Sequence, residues 1–128
     1  MTADVLAMFA AATNAESFGP VLWPHHLALW QLRERAPSGG ALAHAVRVWD
    51  FSPSAAGGYA IQDLAPVLWT LSAEGWLRRE NGCYGITEEL RARGERLLTT
   101  FSERDRRALR ACAGYWINWS VMASKKPS

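Results

Sequence analysis

At 128 residues the chain has one domain's worth of length, and folding at that size buries roughly two-thirds of the surface an unfolded chain exposes. An apolar share of 49% against 20% charged excludes a disordered or coiled-rod chain, and no run reaches the roughly 18 to 20 apolar residues of a membrane span. Net charge is only +2, yet residues 1–77 hold three basic side chains against six acids while residues 78–128 hold eleven against six.

The N-terminus, Met1-Thr2-Ala3-Asp4, carries an acid where a secretory signal carries lysine or arginine, which points to a cytoplasmic protein. Asp4 to Ala12 reads as a short helix with apolar residues on more than one side, among them Val5, Leu6, Met8 and Phe9. Asn14 to Trp23 contains Gly19-Pro20 and reads as a loop. Pro24 suits the first turn of the next helix, Pro24 to Ala36, because its missing N–H costs nothing there. Pro37-Ser38-Gly39-Gly40 stops it, and Leu42, Ala45, Val46 and Trp49 then fall at i, i+3, i+4 and i+7, one helical face. Phe51 to Ala60 is a flexible loop by composition.

Asp63 stands where it can cap a helix running to about Glu74, with Leu64, Leu68 and Leu71 on one side and Gly75 as the residue that ends it. Trp76 to Glu80 and Cys83 to Ile86 read as two short strands joined by Asn81-Gly82, a dipeptide suited to a tight hairpin turn. A lone hairpin is marginal in water and must lean on neighbouring helices. Thr87 begins a helix to about Thr100. Ser102, with Asp105 three residues on, resembles a capping box and starts a last helix to about Ala123.

The run Leu68-x-x-Leu71-x-x-x-Gly75-Trp76-Leu77, followed by Tyr84-x-Ile86-Thr87, resembles the third helix and wing of winged helix-turn-helix regulators, most closely bacterial repressors of the MarR and PadR families. The likeness covers about Ala60 to Leu98. It implies a mainly α winged helix-turn-helix with an extra N-terminal helix, a two-stranded wing and a C-terminal helical extension. The chain is then a single domain over 1–128. Residues 1–23 form the N-terminal helix and loop, 24–86 the helix-turn-helix core and wing, 87–123 the C-terminal helices and 124–128 a tail. The chain departs from the family pattern in three places. Glu89 and Leu90 stand where a glycine often follows the threonine, the stretch Phe51 to Ala60 is long for a helix-turn-helix turn, and Gln62 to Glu74 holds no lysine or arginine.

What the resemblance implies about function is a dimeric transcriptional regulator binding duplex DNA. Arg78 and Arg79 beside the hairpin turn are expected on phosphates or in the minor groove, joined by Arg91 on the next helix. Gln62, Thr70 and Ser72 are the groups the third helix offers to base edges. The plainer alternative for the arginines is a solvated edge strand that basic residues protect from pairing. A second functional reading is a winged-helix protein-interaction or small-molecule-sensing module without sequence-specific DNA binding.

Catalysis finds little support. His25-His26 point to different helix faces and make a poor metal pair, no Gly-rich phosphate loop follows a strand, and Cys83 and Cys112 read as packing cysteines before redox thiols. No cofactor is implied. Seven tryptophans invite a planar aromatic ligand, against which Trp23, Trp30, Trp49, Trp69 and Trp76 read as core or partial core. Leu109, Cys112, Trp116, Trp119 and Ala123 are spaced three and four apart, as in a helix–helix seam, and are expected to build a homodimer interface. The rival cover for that seam is the chain's own N-terminal helix.

Overall fold

The computed structural model describes residues 2–47, 49, 51–53 and 59–124. Helix α1, Thr2–Ala11, buries Val5, Leu6, Ala7, Met8, Phe9 and Ala10, and is therefore the central helix of the molecule. It packs against α5 (Glu88–Leu98), α6 (Glu103–Ser124) and α4 (Leu64–Ala73). Gly94 of α5 lies so close to α1 that a Cβ there would overlap the Ala7 carbonyl. A glycine at position 94 is what lets α5 and α1 approach this closely.

Helix α2, Trp23–Arg35, has Pro24 in its first turn as expected and runs along α6 with Ala28, Leu29 and Leu32 buried. Helix α3 is shorter than its apolar spacing suggests. It spans Ala41–Val46, and Trp49, expected on the same helical face, is buried beyond its end.

The expected hairpin forms between β4, Leu77–Glu80, and β5, Cys83–Ile86, with Asn81 at φ 50° and Gly82 at φ 78° supplying the turn. It does not stand as two strands. Ser17–Phe18, expected as loop, form β1, which pairs antiparallel with β5 through Ser17↔Gly85 and Phe18↔Tyr84. The sheet order is β1-β5-β4, so the hairpin gains a third strand as well as the helices behind it.

The stretch Phe51 to Ala60, read as a flexible loop, also carries strand. β2, Phe51–Pro53, pairs with β3, Tyr59–Ile61, in a two-stranded ribbon, and 54–58 lie outside the described residues. The ribbon is anchored to α2: the Ile61 N–H donates to His26 Nδ1 at 3.1 Å, and Phe51 meets Trp30 edge to face at 5.1 Å.

Two caps behave differently from their sequence signatures. Thr87 caps α5 as expected, accepting from the Leu90 N–H at 3.1 Å, but Asp63 makes no cap bond to α4 and instead accepts from the Thr2 hydroxyl. Ser102 accepts from the Asp105 N–H at 3.2 Å, which is half of a capping box. The Asp105 carboxylate is buried and turns away to accept from the Leu42 N–H at the start of α3. No helix among the described residues is long and apolar enough to cross a membrane.

Candidate interaction surfaces

The hairpin presents its arginines to solvent. Arg78 keeps 61% of its side-chain surface exposed and pairs with Glu80 at 3.2 Å, an exposed contact of little energetic weight. Arg79 lies over the Tyr84 ring, 5.6 Å from its centre, on the opposite face of the strand. Tyr84 stacks in turn on Phe18 of β1, so the base of the hairpin is fixed by aromatic packing while its tip stays free.

Arg91 is not part of that exposed set. Its guanidinium donates to the carbonyls of Ala10 and Thr13 at 2.7 and 2.6 Å, and to that of Ala15 at 2.6 Å. Helix α1 has no basic residue in its last turn, and Arg91 of α5 supplies the charge and the donors that its C-terminal end lacks. The residue expected on DNA is an internal clamp. Arg93 is likewise engaged, with Asp4 at 2.7 Å and over the Trp76 ring at 5.0 Å. On α6, Arg106 and Arg110 bond the Glu103 carboxylate, which holds that acid below its ordinary range.

Helix α4 leads through Gly75, at φ 83°, into β4. Leu64, Leu68 and Leu71 face the core, as their spacing implies. The opposite face carries Ala65, Pro66, Trp69, Thr70 and Ala73, and Trp69 is 69% exposed. That corrects the expectation that Trp69 packs in the core; Trp23 is also exposed, whereas Trp49 is buried and Trp30 and Trp76 are half-buried. Thr70 reaches solvent and Ser72 is half-buried. Gln62 lies in the turn before α4 and donates to Ser52 Oγ at 3.4 Å. Of the groups expected to read bases, only Thr70 therefore stands free on the helix.

The aromatic seam of α6 is turned inward. Leu109, Cys112 and Trp116 have no exposed surface, and the helix packs on α2, α1 and β1 of the same chain. Trp116 meets Phe9 at 5.5 Å and Phe18 at 5.0 Å between ring centres. These three residues, expected at a homodimer interface, belong to the chain's own core, with Trp119 and Ala123 half-buried at its margin. Trp116 Nε1 donates to His25 Nδ1 at 2.6 Å, and the other ring nitrogen of His25 faces the Gly19 carbonyl at 3.1 Å. The Gly19 N–H donates in turn to Ser120 Oγ at 2.8 Å. His25 must be neutral to accept from the indole, and burial lowers its pKa to about 4. Burial also pushes the Cys112 thiol up to about 11, which leaves it inert, and Cys83 is a free, half-buried thiol on β5.

Two features escaped the reading of residue types. Trp69 sits one residue after Leu68 and two before Leu71, about 100° per residue off the leucine stripe, which is the signal that places it outward. Arg91 gave no such signal, because its role depends on where α1 ends in space. No family model, curated protein or solved structure matches the chain.

Proposed function

We propose that this chain is a winged helix-turn-helix domain, MarR/PadR-like in build, whose third helix docks a protein partner rather than reading DNA base edges. The build is supported by α4 ending at Gly75, the hairpin that follows, its pairing with an upstream strand and the Thr87 step into α5. The observation that carries the docking role is the exposed face of α4, which carries Trp69 and no cation. A helix entering a groove needs donors for bases and positive charge for phosphates, whereas an exposed indole on an apolar face is the residue type protein interfaces favour.

The test pairs a DNA titration with a selection. Duplex DNA at low salt should bind weakly at most, without sequence preference, and equally to wild type and Trp69→Ala. Selection of helical ligands from a displayed peptide library should yield binders that Trp69→Ala no longer holds. Tight, sequence-dependent DNA binding lost in Trp69→Ala would overturn the proposal.

A second reading, a dimeric DNA-binding transcriptional regulator, is favoured by one observation: Arg78 and Arg79 stand exposed beside the hairpin turn. Binding of that kind is electrostatic, and replacing both arginines should flatten the log–log salt dependence by roughly one to two units. A homodimer in this reading uses the exposed end of α6, Val121 and Met122 beside Trp119 and Ala123, because the inner seam is occupied.

A further inference from the structure

Along the flank of α4 that faces α1 and α5 runs a shallow groove of about 240 Å³. Pro66, Val67, Thr70 and Leu71 form its floor, with Asp63 at one end and Glu74 at the other. The two acids are the residues bracketing the helix, eleven positions apart, which at the rise of an α-helix separates them by about 16 Å along its axis. Glu74 stands at the C-terminal end of α4, where the carbonyl ends of the helix add to its negative field. Asp63 accepts from the Thr2 hydroxyl at 3.1 and 3.2 Å, a neutral donor that leaves its charge in place. Among the described residues one cation lines the groove, Arg93, and its charge is matched by Asp4 at 2.7 Å. The groove is therefore largely apolar along its floor and negative at both ends, and Trp69 stands outside it, past Pro66 on the outer face of α4.

We infer, on the basis of the docking role proposed above, that the partner segment is a basic amphipathic helix. Its apolar stripe covers the floor of the groove and extends across Pro66 to Trp69 on the outer face of α4, and its arginines or lysines, about eleven residues apart, meet Asp63 and Glu74. Charge decides the class. An acidic helix would meet like charge at both ends, and so would the phosphates of duplex DNA.

Peptide binding separates a basic partner from the other classes. The full chain is titrated, by fluorescence anisotropy, with a labelled synthetic helical peptide carrying leucines on one face and two arginines about eleven residues apart. A matched peptide has glutamates in place of the arginines. The arginine peptide should bind at least about tenfold tighter than the glutamate peptide. The double variant Asp63→Asn/Glu74→Gln should erase that preference, and Trp69→Ala should weaken both peptides about tenfold. Equal binding of the two peptides, with sensitivity to Trp69→Ala, overturns the basic partner and leaves the docking role of α4 standing. Binding of neither peptide overturns the basic partner as well. Loss of duplex DNA binding in Trp69→Ala overturns the docking role itself.

Discussion

Two tryptophans on two helices mark the difference between the inside of this molecule and its working surface. Trp116 of α6 has no exposed surface and touches Phe9, Phe18 and His25, whereas Trp69 of α4 is 69% exposed. Both helices carry an apolar face, and by spacing alone α6 is the better candidate for binding a second molecule. The difference lies in what the rest of the chain supplies. α6 is covered by α1, α2 and β1, while α4 turns only its leucine stripe inward. An apolar face becomes a binding surface only where the chain's own elements leave it uncovered.

The covered side breaks most severely at Gly94. Its Cβ, in Gly94→Ala, would overlap the Ala7 carbonyl and force α1 from α5, at a cost of more than about 4 kcal/mol. Chemical denaturation or loss of soluble expression would register it, and wild-type stability would mean the two helices stand farther apart.

Acid should open the same side more gradually. The unfolded His25 ring takes up a proton near pH 6.5, the buried ring only near about 4, so the unfolded state binds more protons throughout that window. Stability is then complete above pH 6.5, falls as pH drops through the window and levels off below about 4, with a loss of about 3 kcal/mol. Burial lowers His26 as well, which adds to the loss with the same sign. Denaturation midpoints across that pH range, in wild type and in His25→Gln, isolate the contribution; the same slope in both would assign it elsewhere.

Two arginines differ by smaller amounts. Arg91→Ala removes three charge-assisted hydrogen bonds from the end of α1 and should cost about 2 kcal/mol. Arg78→Ala, whose pair with Glu80 is exposed, should leave stability within about 0.5 kcal/mol of wild type. Equal effects from the two would mean that Arg91 is not a clamp.

Those contrasts also show which parts of the fold could be read from residues. The Asn81-Gly82 turn, the Gly75 stop, the Thr87 cap and the leucine stripe of α4 are decided within a few residues, and each stands where its chemistry put it. β1 was not legible, because two residues amid a Gly-Pro loop become strand only by pairing with β5 far along the chain. The β2–β3 ribbon is short and Gly- and Ser-rich nearby, so its composition speaks of loop while its pairing makes strand. Arg91 and Arg78 are the same side chain on the same basic stretch, and only the position of α1 makes one an internal clamp while the other stays in an exposed surface pair. The acids that bracket α4 were legible as helix ends; that they also close a groove depends on α1 and α5 behind them.

Trp69 lies outside the fold and Trp116 inside it, and one denaturation experiment tests both. Trp116→Ala should lose about 3 to 5 kcal/mol of stability, as truncation of a buried tryptophan does. Trp69→Ala should unfold within about 0.5 kcal/mol of wild type with an unchanged denaturant slope. A loss in Trp69→Ala as large as that in Trp116→Ala would show the Trp69 ring to be covered, and α4 would then have no free face to offer a partner.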